Sequence, residues 1–300
     1  MTTQTVSRPR HPEWIKVRAP WGEEYARLKH LMRDLNLHTV CEEALCPNIG
    51  ECWGAGTATI MILGDVCTRA CRFCAVTTGD PKGIVDDLEP WRVSEAISQL
   101  NLSYVVVTSV DRDDLPDEGA GIFAETVGQI KAKSPKTIVE VLIPDFKGKR
   151  DLIAKIVDAR PAVIAQNIET VRRLTYEVRD KRAGYEQTLG VLETVKALNP
   201  QIMTKSSIML GLGESFDEVV ETMCDLRAVD CDLLAIGQYL RPTDKKRHYP
   251  LMEYIHPDVF ARLREEGQYL GFRYIASGPL VRSSYKAWEA ARLFPHGAPA

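Results

Sequence analysis

No apolar run in this 300-residue chain approaches the roughly 20 residues needed to cross a bilayer. Charge of one sign is lacking too: 38 Lys+Arg face 41 Asp+Glu, a formal net charge of −3. Without long basic runs, the balance argues against a nucleic-acid coat as the main role. The opening stretch, MTTQTVSRPRHPEWIKVRAP, has no apolar centre of the kind a secretory signal needs. It carries Arg8 and Arg10 and no acid before Glu13, as transit peptides do, but its prolines spoil an amphipathic helix and point to an extended arm. The expected compartment is the cytoplasm, with neither nucleic acid nor membrane as partner. No internal repeat or low-complexity block is evident. What is present is ordinary globular composition, 45% hydrophobic and 26% charged, which excludes a disordered or collagen-like chain. The length suits one large α/β domain or two smaller ones, with a core that needs no disulfide or metal staple.

Cysteine carries the strongest signal. Six of the eight cysteines (Cys41, Cys46, Cys52, Cys67, Cys71 and Cys74) fall between residues 41 and 74. In a reducing compartment such clustering calls for thiolates gathered on metal rather than for disulfides. The first three are spaced Cys-x4-Cys-x5-Cys and the last three Cys-x3-Cys-x2-Cys. Structural zinc sites use paired knuckles that close one tetrahedron, and two triplets do not divide that way. Three thiolates on a four-iron cluster leave one iron without a protein thiolate, open to a substrate or cofactor. The competing reading is one or two zinc ions, with His38 as an outside ligand. Cys224 and Cys231 read as buried thiols without a role.

Short β-branched or aliphatic runs at Thr59–Leu63, Tyr104–Thr108, Ile138–Ile143, Ala162–Ala165, Ser206–Leu210 and Leu233–Ile236 alternate with helical patterns near 93–101, 121–133, 150–159, 185–198, 216–229 and 258–270. That rhythm predicts βα units and a parallel sheet. Six units are too few for an eightfold barrel, so the fold class is α/β, a partial (β/α)6 TIM-type barrel, with a short seventh strand near Tyr274–Ala276. Leu28, Leu31, Met32 and Leu35 share one face of a helix over 25–35, and the first triplet reads as a loop. The expected organisation is an N-terminal extension (1–57) packed on a barrel (58–277), followed by a closing segment (278–300).

In βα barrels the C-terminal ends of the strands carry the site. The Cys67–Cys74 loop follows the first strand and Asp111–Asp114 the second. Asn167 and Glu169 follow the fourth, Gly211–Glu214 the fifth and Gln238–Pro242 the sixth. Asn167 and Glu169 suit hydrogen bonding to a ribose as well as they suit structural capping. Asp113 and Asp114 read equally as solvated loop acids or a helix cap. Gly211-Leu-Gly213 is a weak fragment of a nucleotide loop.

Cys67-x3-Cys71-x2-Cys74 after the first strand, with Phe73 before the last cysteine, resembles the radical S-adenosylmethionine (SAM) superfamily. Within it, the stretch from Leu37 to Trp53 is similar to the auxiliary-cluster segment of lipoyl synthases. Met61–Asp65 and Arg72–Val76 match the following block, and Arg282-Ser283-Ser284-Tyr285 matches the C-terminal Arg-Ser-Ser-Tyr motif. The likeness runs from about residue 12 to 288. Gln166 stands where the family's histidine is expected, and Ser207 where its glycine is.

The resemblance implies two 4Fe-4S clusters and SAM, two molecules per lipoyl group. Cys67, Cys71 and Cys74 would hold one cluster, and Cys41, Cys46, Cys52 and Ser283 the other. The second would be the sulfur source for insertion at C6 and C8 of a protein-bound octanoyl-lysine. A serine oxygen suits iron less durably than a thiolate, so Ser283 would be the point at which that cluster opens. From the sequence alone, Ser283 reads as a turn or cap serine. Arg282 would help hold the closing segment over the mouth. Implied partners are octanoylated carrier domains of 2-oxoacid dehydrogenases or the glycine-cleavage carrier, a ferredoxin or flavodoxin-type reductant, and iron–sulfur assembly proteins. Competing readings are another radical SAM sulfur inserter or peptide modifier, and a zinc-stabilised binding module.

Overall fold

The computed structural model describes residues 11–16, 22–44, 46–54, 59–285, 289 and 292–294. Most of the arm expected over residues 1–20 lies outside them. The chain opens with α1 (Glu23–Asp34), β1 (His38–Thr39), α2 (Val40–Glu43) and α3 (Ile49–Gly54), followed by β2 (Thr59–Ile62) and a small pair, β3 (Val66–Cys67) and β4 (Thr77–Thr78). Regular alternation follows: α4 (Glu89–Leu100), β5 (Tyr104–Ser109), α5 (Ala120–Lys133), β6 (Ile138–Leu142), α6 (Arg150–Asp158) and β7 (Val163–Ala165). A short α7 (Thr175–Val178) precedes α8 (Tyr185–Leu198), β8 (Met203–Leu210), α9 (Phe216–Ala228), β9 (Leu233–Gln238), α10 (Pro257–Tyr269) and β10 (Tyr274–Ser277).

The main sheet runs β1-β2-β5-β6-β7-β8-β9-β10. Every pair is parallel except β1 with β2. The strands follow sequence order, so each helix returns the chain to the next neighbour, as right-handed βαβ crossovers do. The short seventh strand is present as β10, and it leaves the barrel open between β10 and the β1–β2 edge.

The first cysteine triplet departs from the loop reading. Cys41 lies in α2, which is capped by the Thr39 hydroxyl accepting from the Glu42 N–H, and Cys52 lies in α3. Pro47 falls between the two helices, where its missing N–H costs nothing. Leu28, Met32 and Trp53 join β2 and β5 in one buried cluster, with Trp53 fully buried. Losing a buried Trp costs about 3–5 kcal/mol, so Trp53 ties the N-terminal segment to the barrel core. Cys231 is buried as expected, but Cys224 is exposed. Helix α9 buries Val219, Thr222, Met223 and Leu226, and the 3.6-residue period turns position 224 to solvent.

Inside the barrel, residues at or near the strand starts (Tyr104, Ile138, Val163, Met203 and Leu233) form an apolar bottom layer, against which Leu293 and Phe294 pack. One layer above, Lys205 Nζ sits 2.8 and 3.0 Å from the two oxygens of Glu140, and the Tyr104 hydroxyl donates to Glu140 at 2.6 Å. This buried, mutually satisfied pair forms a polar plug in the barrel axis. The cavity opens above it.

Candidate functional site

The cavity has a volume of about 430 Å³ and lies at the C-terminal ends of the strands. Its wall includes Cys67, Cys71 and Cys74 from the loop after β2, Cys41 and Cys46 from the N-terminal segment, and Ser283 from the C-terminal segment. Asn167 and Glu169 line it as well. Cys52 does not; it is half-buried against the first core cluster. Among the described residues no three His, Cys, Asp or Glu side chains converge on a position that would hold a single metal ion. The thiols stand around the wall instead. His38 is turned away onto Glu43 at 3.4 Å.

Local geometry explains how the second triplet is presented. Leu63, just after β2, takes a left-handed φ of 68°. Its N–H donates to the buried Glu89 carboxylate at 2.7 Å, and its carbonyl accepts from Arg112 at 3.2 Å. These bonds hold a conformation that a leucine rarely adopts and turn the chain inward. The loop is then pinned by Arg69. That buried guanidinium, 4% exposed, donates to both oxygens of Asp145 at 2.6 and 2.8 Å and to both of Asp113 at 3.0 Å. Two bidentate pairs fix direction as well as charge. Burial alone would raise Asp113, but its bonds to Arg69 and Thr68 hold its pKa well below the usual carboxylate value. Asp114 is taken by Arg112 and by the Gly83 N–H. Both acids therefore shape the loop.

The thiols themselves receive backbone donors. Arg69 N–H points to Cys67 Sγ at 3.4 Å, and Asp180 N–H to Cys71 Sγ at 3.3 Å. Burial pushes Cys67 up to about 12, reinforced by the neighbouring Asp111 carboxylate, and burial pushes Cys71 up to about 12. Cys74 and Cys46 rise for the same reason, and Cys41 reaches about 11. Thiols this reluctant to ionise alone become thiolates on a metal, which releases their protons. His248 Nε2 lies 3.1 Å from the Cys74 carbonyl, and the Tyr249 N–H donates to the Arg72 carbonyl at 2.8 Å. The segment after β9 is thus zipped to the cysteine loop.

Among the described residues, three polar atoms of wall residues have no protein partner: Asn167 Oδ1, Ser109 Oγ and Arg241 Nε. Buried oxygens left unpaired cost free energy until a ligand meets them. Asn167 Nδ2 donates to Glu169 Oε1 at 3.0 Å, and Glu169 has a left-handed φ of 69°. Burial raises the Glu169 pKa against the pull of Arg179 and Asn167. Buried thiols with donors at their sulfurs, beside orphaned oxygens that a nucleoside could satisfy, fit an iron–sulfur cluster with a cofactor at its side. The Gly211–Gly213 turn does not fit a phosphate. Its N–H groups at Gly211 and Leu212 already bind the Glu214 carboxylate at 2.6 and 2.9 Å.

The sequence reading missed what joins the two chain ends. Gly278 N–H donates to the Ile236 carbonyl at 3.0 Å, and Gln238 N–H to the Pro279 carbonyl at 3.3 Å, and the Val281 carbonyl presses on Gly237, laying residues 278–281 along β9. From there Ser284 Oγ accepts from Thr59 Oγ1 at 2.7 Å, and the Tyr285 hydroxyl reaches Glu51 at 3.0 Å. Arg282 donates to the adjacent Val281 carbonyl at 2.7 Å, with its charge against Cys46. It thus stands between its own segment and the first cysteine triplet. Further on, Glu289 is tied in by the Tyr274 hydroxyl, which donates to it at 2.8 Å.

Residues 61–226 match the Radical SAM superfamily, and residues 1–46 match the N-terminal domain of lipoyl synthase of the Radical SAM family. Among solved structures, methylornithine synthase superposes with a TM-score of 0.53 at 13% identity, covering 72% of this chain and 70% of that one. The FeFe-hydrogenase maturase HydG from Carboxydothermus hydrogenoformans gives a TM-score of 0.53 at 12% identity, covering 78% and 65%. These likenesses establish the fold, a partial TIM-type barrel. Sequence relatives are far nearer. Lipoyl synthase from Thermus thermophilus is 58% identical over 92% of this chain and 85% of its own length. That from Anaeromyxobacter sp. is 55% identical over 96% of each. With this identity along nearly its whole length, the chain belongs to the lipoyl synthase family, the radical SAM enzymes that work with 4Fe-4S clusters and SAM on lipoyl carrier proteins.

Proposed function

We propose that the cavity is where this chain inserts sulfur at C6 and C8 of a carrier-bound octanoyl-lysine. In this reading Cys67, Cys71 and Cys74 hold one 4Fe-4S cluster, and Cys41, Cys46, Cys52 and Ser283 hold the other. When bound, the first cluster with SAM supplies a 5′-deoxyadenosyl radical for each unreactive C–H bond, so two SAM molecules serve one lipoyl group, and the second cluster supplies the sulfur. The chain's own residues position and shield that chemistry. Arg69 and its aspartates fix the direction of the first thiols. Asn167 and Glu169 take ribose hydroxyls, which would satisfy the orphaned Asn167 oxygen. Met61, Leu142 and Ile208 on the wall give an alkyl chain an apolar path and keep water off it. Ser283 offers an oxygen, a harder and less durable iron ligand than sulfur.

The observation that carries this reading is one wall shared by five cysteines of two separate triplets and by Ser283. The family resemblance adds the finer partners to this reading: carrier domains of 2-oxoacid dehydrogenases or of glycine cleavage, a ferredoxin or flavodoxin-type reductant, and iron–sulfur assembly proteins, with the cytoplasm as the expected compartment. Family membership does not favour a zinc-stabilised module or another radical SAM chemistry. The test is anaerobic purification with metal analysis, followed by incubation with octanoyl-lysyl peptide, SAM and dithionite. About eight irons per chain and a product heavier by two inserted sulfurs are expected. Zinc without iron, or SAM cleavage without sulfur in the peptide, would overturn it.

A further inference from the structure

Asn48 lies between Cys46 and Cys52 and is 3% exposed. Its backbone N–H points to the Cys46 sulfur, and its carbonyl accepts from Cys52 N–H at 2.9 Å. Its side-chain Nδ2 donates to the Leu280 carbonyl at 2.7 Å. Leu280 lies three residues before Ser283 in the segment laid along β9. One buried carboxamide therefore connects the turn that carries two cysteines to the segment that carries the serine. β9 holds the start of that segment through Gly278 and Pro279, and two other ties to the N-terminal elements, Thr59 with Ser284 and Glu51 with Tyr285, bind it beyond Ser283. Asn48 alone fastens it on the near side among these three, and it does so from inside the triplet.

We propose that Asn48 is a positioning residue that sets Ser283 against the Cys41–Cys52 turn, so that the fourth ligand is delivered by a hydrogen bond to Leu280. The role rests on the reading of Ser283 as a cluster ligand given above. An aspartate at this position keeps the shape but presents oxygen to the Leu280 carbonyl, and the two acceptors repel. An alanine removes the donor and leaves the carbonyl unpaired. In both variants residues 279–285 lose their near-side tie to the first triplet, keeping only the backbone bonds to β9 there, while the cysteines are untouched.

The test uses the full chain. Hydrogen exchange of residues 279–285 is measured in metal-free protein for the parent, Asn48→Ala and Asn48→Asp. Exchange in that segment is expected to rise about tenfold, the order lost with one buried hydrogen bond, while residues 203–210 of β8 stay protected. After anaerobic reconstitution, Asn48→Asp is expected to cleave SAM to 5′-deoxyadenosine, to hold about four irons fewer than the parent, and to form less than a tenth of the lipoyl product. Unchanged exchange overturns the proposal. Loss of protection across β8 overturns it too, because Asn48 would then support the whole fold. Faster exchange with full iron and full product shows that the contact exists but does not place the ligand, and this also overturns it. A parent chain that itself binds only one cluster would instead refute the ligand reading, a result the metal-free exchange measurement keeps separate.

Discussion

The carbonyl oxygen of Val281 lies 2.0 Å from where a β-carbon on Gly237 would stand. The closing segment therefore presses onto β9 at the one position where no side chain intervenes. Gly237→Ala must push Val281 away, an overpacking that costs about 1–3 kcal/mol. The expected outcome is a lower thermal midpoint and at least a tenfold loss of lipoyl product, read by calorimetry and by product mass. An alanine variant with normal product would show that the close approach is incidental.

Cys71→Ala is expected to abolish SAM cleavage outright, because three thiolates cannot lose one and still leave a single open iron. Ser283→Ala is expected to keep 5′-deoxyadenosine production while lowering lipoyl formation. Chromatographic assay of both products separates the two effects. Lipoyl formation at the parent rate in Ser283→Ala would remove the serine from the ligand set.

Asp113 is held below the ordinary carboxylate value of 3.8, where burial alone would have raised it, chiefly by Arg69. A carboxylate with a depressed folded pKa contributes stability that is fully present above its unfolded pKa. That stability is lost as pH falls through the folded one. Asp113→Asn should therefore cost about 1–3 kcal/mol near neutrality. The gap to the parent should narrow as pH drops below 3.8. Urea unfolding of metal-free protein at pH 7 and pH 3 checks this; a gap that widens in acid contradicts it.

Lys205→Met alone leaves Glu140 buried without its cation, and about 3–5 kcal/mol of destabilisation is expected. Glu140→Leu combined with Lys205→Met removes both charges and should recover much of that loss. A double-mutant cycle by chemical denaturation measures the coupling. A double variant as unstable as the single would mean that the plug's shape, not its charge pairing, supports the barrel.

Most of the barrel was legible because its signal is periodic. Runs such as Tyr104–Thr108 and Leu233–Ile236 can only be strands when helical patterns separate them, and all the expected strands and helices are present. The second cysteine triplet was legible for a related reason, since a loop after a parallel strand must open at the mouth. The first triplet was misread as loop because Pro47 and Gly50 dominate its local propensity. The short helices α2 and α3 instead rest on Thr39 capping and on Trp53 buried against β2 and β5, which are tertiary terms. Asn48, Gly237 and Thr59 gave no signal at all. Their roles come from contacts between residues more than two hundred positions apart in two of the three cases, and no local pattern encodes such a meeting. Cys224 was placed inside by composition alone, where the phase of its helix would have turned it outward.

The bond from Asn48 to Leu280 joins residues 232 positions apart, and it orders events during synthesis. The chain must be made through residue 280 before the two segments can meet. Contacts this distant in sequence are the slow ones to form. A nascent chain halted before residue 280 would carry both cysteine triplets without the segment that brings Ser283 to their cavity.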